Sequence, residues 1–166
     1  MIEPGSPLPD ATLFESLDFG AACPLAATKV SVSEAARGKR IVIFGLPGAF
    51  TTTCSNQHVP SYLESYDALK AKGVDEIWCV SVNDGQVMAA WGREQKALGK
   101  IRFLGDGAAE LTTKLGLTRD LTASGMGIRM QRCSLLVESG IVTKVNVEAP
   151  GKFEVSDAKT MLAALG

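Results

Sequence analysis

The chain has a single histidine among 166 residues. Its four cysteines, Cys23, Cys54, Cys79 and Cys133, lie far apart and form no Cys-x-x-Cys pair. This spacing excludes the common zinc motifs and the paired-thiol redox motif. Sparse thiols in a chain this large read as free cysteines in a reducing compartment, not as a disulfide framework. Charge of one sign is also lacking: 17 Lys and Arg face 18 Asp and Glu, the formal net charge is -1, and no basic block occurs. Attraction to nucleic acid or to an anionic membrane is therefore not expected. No apolar run approaches the roughly 20 residues of a membrane-spanning helix. Met1 to Pro7 has neither the basic region nor the apolar core of a secretory signal, and no Asn-x-Ser/Thr sequon follows. The expectation is a cytoplasmic protein without metal or other cofactor. With 46% hydrophobic and 21% charged residues, the composition suits one globular domain over residues 1–166 and argues against disorder.

What the chain does have is the stretch Ile41 to Pro60. The apolar run Ile41–Phe44 reads as a buried strand. Gly45 to Gly48 is a Gly/Pro turn, and the Thr- and Ser-rich segment after it opens a helix. Cys54 falls in the first turn of that helix. Unpaired backbone N–H groups and the positive end of the helix dipole favour thiolate over thiol there. Cys54 is therefore the candidate nucleophile.

Elsewhere, short strands are expected at Ala11–Leu13 and Lys29–Val32, with a helical turn at Ser33–Arg37. The helix after Cys54 should run from about Thr53 to Lys72, kinked or divided at Pro60, and end at Gly73. Glu76–Val82 is a strand. Asn83-Asp84 caps a helix over Gly85–Leu98. A third short strand spans Arg102–Leu104, and a helix spans Ala108–Leu115. Thr118–Ile128 has no clear period and reads as a loop. Gln131–Glu138 and Ile141–Val147 flank Ser139-Gly140, a hairpin signal. Ser156 is expected to cap the last helix. Strand–helix–strand followed by strand–strand–helix is the thioredoxin-like order, an α/β fold with a central mixed sheet flanked by helices and an N-terminal extension.

The segment Pro47-Gly-Ala-Phe-Thr51-Thr-Thr-Cys54 resembles the peroxiredoxin active-site pattern Pro-x-x-x-Thr-x-x-Cys. The likeness extends through His58-Val-Pro60, Leu69–Gly73, Val80–Asp84, Trp91-Gly-Arg93, Gly125–Arg132 and Gly140–Glu148. Such collinear matches resemble the Prx5 (type II, atypical) subfamily. Three departures stand out. Thr52 replaces the usual Pro, and Cys133 follows Arg132 where an aromatic is usual. No cysteine follows Cys133, whereas vertebrate-type members have a late resolving cysteine, here replaced by Val155 or its neighbours. The chain is closer to the one-cysteine plant and bacterial members.

The resemblance implies thiol-dependent reduction of hydrogen peroxide and alkyl hydroperoxides through a sulfenic acid at Cys54. The external reductant would be glutaredoxin with glutathione, or thioredoxin, and the protein would form a homodimer. Thr51 would accept a hydrogen bond from the peroxide and donate one to the thiolate. Arg132 would hold the thiolate and stabilise developing charge. Pro47 would shield the sulfur, Gly48 would let the backbone approach the peroxide, and the N–H groups of Thr53 and Cys54 would face the reacting oxygens. Met126 would line an apolar rim. His58, four residues after Cys54, has no further ligand pair for a metal and is expected to be structural or at the pocket edge. Two other readings bear on the same cysteine. A thiol–disulfide oxidoreductase is disfavoured because Thr51 stands where a second cysteine would be. A redox sensor or oxidation-dependent chaperone using Cys54 is the alternative function.

Overall fold

Along Arg40–Gly45 (β3), successive side chains point to opposite faces of a sheet. Ile41 and Ile43 enter one apolar layer, and Val42 and Phe44 enter another. A strand buried on both faces must lie in the centre of a sheet, and it does so in the computed structural model, which describes all residues 1–166. The other strands are Thr12–Glu15 (β1), Thr28–Ser31 (β2), Glu76–Ser81 (β4), Arg102–Gly105 (β5), Thr118–Leu121 (β6), Gly127–Met130 (β7), Cys133–Glu138 (β8) and Ile141–Val147 (β9). Seven of them form one sheet in the order β2-β1-β5-β4-β3-β8-β9. β3, β4 and β5 run parallel, and β8 returns antiparallel beside β3. This is the expected thioredoxin-like mixed sheet.

The helices are Val32–Ala36 (α1), Val59–Glu64 (α2), Tyr66–Ala71 (α3), Gly85–Glu94 (α4), Glu110–Lys114 (α5) and Ala158–Leu165 (α6). The layer containing Val42 and Phe44 also holds Tyr62 and Leu69 from α2 and α3, Met88 and Trp91 from α4, and Met161 from α6. The opposite layer holds Val32 and Ala36 from α1 and Leu111 from α5.

Several expectations are corrected. The long helix is three pieces: a π-helical turn over Cys54–His58, then α2, then α3 after a break at Ser65. Pro60 lies in the first turn of α2, where its missing N–H is tolerated, and the wider turn before it is closed by Val59 N–H bonding Cys54 O. The helix beginning at Gly85 stops at Glu94, because Lys96 takes a positive φ of 55°. The helix expected over Ala108–Leu115 is shorter, since Ala109 also has φ 55°.

Thr118–Ile128 is no loop. β6 and β7 pair there in an antiparallel hairpin separate from the main sheet. β6 alternates only between exposed and half-buried residues, so it carries no apolar period to read. Finally, Asp157 caps α6 by accepting from Thr160 N–H, and Ser156 serves another network. The Ser139-Gly140 turn is as expected, both residues having positive φ between Glu138 and Ile141.

Candidate active site

β3 ends at Gly45, next to the carboxyl end of β4 and the start of β8. Gly45 is required by its neighbours: a Cβ there would lie 2.5 Å from Met130 Sδ and 2.9 Å from Cys133 Sγ. The chain then turns through Pro47 and Gly48 and enters the π-helical turn at Cys54. Cys54 is fully buried. The backbone N–H groups of Thr53 and Cys54 donate in none of the turn, loop and cap hydrogen bonds, as expected for the first turn of a helix.

Arg132, immediately before β8, points to the Cys54 face of the sheet. Its Nη2 donates to Cys54 Sγ at 3.3 Å, and its Nη1 contacts His58 Nδ1 at 3.1 Å. His58 Nε2 lies 3.1 Å from the carbonyl of Ser156, which can only accept. His58 therefore carries its proton on Nε2, and its Nδ1 accepts from Arg132. Burial, with the Arg132 charge beside it, lowers the His58 pKa to about 3. A neutral partner leaves the charge of Arg132 uncancelled, which a carboxylate would not.

His58 is the residue that sequence reasoning undervalued. Its signal was its place four residues after Cys54, on the same face of the turn. Phe44 and Phe153 enclose its ring, each with centroids 5.0 Å away. Ser156 O also accepts from Tyr62 OH at 2.8 Å. The Glu148 carboxylate secures this loop by accepting from the N–H groups of Glu154, Val155 and Ser156 and from Ser156 Oγ. Burial opposes ionisation of Glu148, but these donors, led by Ser156, lower its pKa. Glu148 N–H also donates to Arg132 O at 2.9 Å, so one residue tethers both ends of the network.

Thr51 departs from expectation. Its hydroxyl donates to Gly48 O at 2.7 Å, and neither caps a helix nor donates to Cys54. Its lone pairs can still accept from a ligand O–H. The space at Gly48 is also used differently: a Cβ there would lie 2.8 Å from Arg129 Nη1 and 3.5 Å from Met126 Cε. Arg129 donates through Nη1 to Pro47 O at 3.1 Å and through Nε to Met126 O at 2.8 Å. Arg129 thus ties the β6–β7 hairpin to the Pro47 turn, while Arg132 alone reaches the sulfur. Met126 lies beside Gly48, at the edge of the site.

None of the remaining cysteines is bonded to Cys54. Cys133 faces the opposite apolar layer, and burial pushes its pKa up to about 12. Cys79 shares the layer of Cys54, but it is fully buried in β4 and its pKa is raised by that burial. Cys23 is exposed in the N-terminal arm. Trp91 is a core residue whose Nε1 donates to Ser55 Oγ at 3.0 Å, bracing the turn that carries Cys54.

A buried lone thiol at a helix start, bonded by a guanidinium on a thioredoxin-like sheet, defines a redox-active cysteine protein of the redoxin class. Comparison with known proteins agrees. The Redoxin family model matches residues 3–162. Peroxiredoxin-2C of Oryza sativa subsp. japonica is 49% identical over 137 residues, covering 82% of this chain and 85% of the relative. A structure of reduced Prx3 in complex with hydrogen peroxide from Vibrio vulnificus is 48% identical, covers 100% of both chains and superposes with a TM-score of 0.92. A structure described as a putative thioredoxin reductase from Burkholderia cenocepacia is 56% identical, covers 100% of this chain and 99% of its own, and has a TM-score of 0.95. The chain belongs to the redoxin family, and within it to the peroxiredoxins. It is a thiol-dependent peroxidase, and its likeness to plant peroxiredoxin-2 proteins is consistent with the type II (Prx5) subfamily.

Proposed function

We propose that Cys54 is the peroxidatic thiol, and that it reduces hydrogen peroxide and alkyl hydroperoxides. The thiolate attacks one peroxide oxygen. An S–O bond forms, the O–O bond breaks, and hydroxide or alkoxide leaves and takes up a proton. Cys54 becomes a sulfenic acid. The observation that carries this reading is the 3.3 Å bond from Arg132 Nη2 to Cys54 Sγ. The same guanidinium is available to the negative charge that develops on the oxygens. Thr51, with its proton committed to Gly48, accepts the O–H of the peroxide, while Thr53 and Cys54 N–H groups face its oxygens. Pro47, held by Arg129, shapes the wall over the sulfur. Met126 and Gly48 form the rim that meets the organic part of an alkyl hydroperoxide.

The sulfenic acid is recycled by an external thiol: glutaredoxin with glutathione, or thioredoxin. This reading is supported by the burial of Cys79 and by the location of Cys133 on the other face of the sheet. Homodimer formation beside the site is supported by two exposed apolar side chains there, Phe50 (57% exposed) and Ile128 (45% exposed). A cytoplasmic location is supported by four unpaired cysteines.

The test is peroxide consumption by single variants, with mass spectrometry after one equivalent of peroxide. Cys54→Ser should lose activity while Cys79→Ser and Cys133→Ser keep it, and the wild-type protein should carry one added oxygen on Cys54. An internal disulfide at Cys79 or Cys133 would overturn the one-cysteine cycle.

A further inference from the structure

At the end of the sheet away from Cys54, the amino ends of β4 and β5 open into a cavity of about 570 Å³. Small-molecule sites usually enclose roughly 300–1,000 Å³. Leu17, Phe19, Tyr66, Leu98 and Phe103 give this cavity an apolar and aromatic wall, and Leu17 and Leu98 are exposed.

The carboxylates of the cavity are already engaged. Glu15 and Glu76 share Arg102, and Glu76 also pairs with Lys39. Asp75 accepts from Arg40 N–H at 2.8 Å, and Lys70 Nζ donates to Asp75 O at 2.6 Å. Two cations at the wall are not engaged in this way. Lys100 lies over the Tyr66 ring at 5.5 Å, and Arg93 lies over the Phe19 ring at 5.0 Å. Neither belongs to the five ion pairs of the molecule. Cations held on aromatic faces beside an apolar wall suit a ligand with an apolar body and one anionic head.

The wall is also joined to the turn that carries Cys54. Phe103 meets the Trp91 ring edge-on, with centroids 5.7 Å apart, and Trp91 Nε1 donates to Ser55 Oγ. α4 packs tightly on the wall: a Cβ at Gly92 would lie 2.6 Å from Phe103 Cδ2 and 2.8 Å from Leu98 Cδ2. A group that packs on Phe103 is therefore felt at Trp91.

We infer that this cavity is a second, non-catalytic binding site for a small amphipathic carboxylate, whose chain packs on Phe19, Tyr66 and Phe103, whose head meets Lys100 and Arg93, and whose presence reaches Trp91. The site does not depend on how Cys54 is recycled.

The test titrates octanoate by calorimetry into reduced protein without peroxide. Saturable binding is expected, weakening as salt is raised. Octanamide, which keeps the chain and lacks the charge, should bind about fivefold more weakly, as should octanoate with an Arg93→Gln, Lys100→Gln double variant. Leu17→Asp, at an exposed position of the wall, should weaken octanoate about tenfold. Peroxide reduction without octanoate should be unchanged in these variants, which shows that they fold. Met126→Asp, at the rim of the Cys54 site, should bind octanoate as the wild type does. In NMR spectra the Trp91 indole N–H signal should move with octanoate along the calorimetric saturation curve. No saturable binding, equal binding of octanoate and octanamide, full binding by either wall variant, lost binding in Met126→Asp, or a Trp91 signal that stays in place would each overturn the inference.

Discussion

Arg102 and Arg132 stand toward opposite ends of the central sheet and have opposite kinds of partner. Arg102, at the start of β5, donates Nε and Nη2 to the two oxygens of Glu15 and Nη1 to Glu76. Lys39 and Arg40 pair with Glu76 and Glu138 at the same end. Around Arg132, by contrast, the partners are a thiol and a neutral imidazole. Arg129 bonds only carbonyl oxygens. A guanidinium neutralised by carboxylates holds the fold. One given neutral acceptors keeps its field for a thiolate or a substrate.

The largest expected effect breaks this division at the active end. Arg132→Met should lower the peroxide reduction rate by roughly 10²–10³-fold, as loss of one preorganised donor does elsewhere. It should also cost about 1–3 kcal/mol of stability, because Nδ1 of the fully buried His58 loses its donor. A fall of less than about tenfold would mean that the charge of Arg132 is not used in the reaction.

Next comes the response to acid, which separates the two ends by pH window. His58 is buried and neutral, with its pKa lowered to about 3 from 6.5 by burial and by Arg132. Between those values the unfolded chain binds a proton that the folded one refuses. The stability contributed by neutral His58 is thus full above about pH 6.5 and is lost as pH falls toward 3. Burial of Glu76 acts to raise its pKa, but Lys39, Trp78 and Arg102 hold it down to about 2 from 4.5. Its contribution is present above 4.5 and is lost as pH falls toward 2. Denaturant titrations from pH 7 to 5 should therefore report the active end alone, with a loss on the order of 2 kcal/mol. In His58→Gln that slope should vanish; a slope that survives would assign it to another group.

At the far end, Arg102→Met strands Glu15, whose side chain is 8% exposed. A stability loss of about 2 kcal/mol is expected, below the value for a fully buried pair because Arg102 is itself partly exposed. Thermal unfolding reads this directly. Peroxide reduction well below the melting temperature should be preserved. Lost activity there would mean that the two ends are coupled.

How much of this was legible in the sequence follows the same division. β3, β4 and the β8–β9 hairpin carry continuous apolar runs or a Ser-Gly turn, and a strand buried on both faces leaves that mark. The Pro47–Cys54 turn is local, so its spacing exposes its chemistry. Arg132 was found only through its likeness to a known pattern, because nothing local distinguishes a buried functional arginine from a surface one. The β6–β7 hairpin was missed because neither of its faces is fully apolar. The bond from Thr51 to Gly48, the Glu148–Ser156–His58 chain and the β6–β7 tether by Arg129 depend on contacts across as many as 98 residues or on side-chain rotamers. Periodicity does not encode such contacts.

The smallest effect sharpens what holds the far end. Lys39 Nζ lies 2.6 Å from Glu76 Oε2, the shortest kind of ion pair in the molecule, yet the Lys39 side chain is 40% exposed. Distance alone would rank it above the Arg102 contacts at 2.8–3.0 Å. Solvent screening and the entropy of a long lysine reverse that order, since such exposed pairs contribute about 0.2–1 kcal/mol. Glu76 would also keep Trp78 Nε1 and Arg102 Nη1 as donors after the loss of Lys39. Lys39→Met should therefore cost no more than about 1 kcal/mol, less than Arg102→Met, and the deficit should shrink further in high salt. Equal losses in the two variants would show that the far end is held by summed charge; unequal losses, as expected, would show that it is held by the forked geometry of one arginine on two carboxylates.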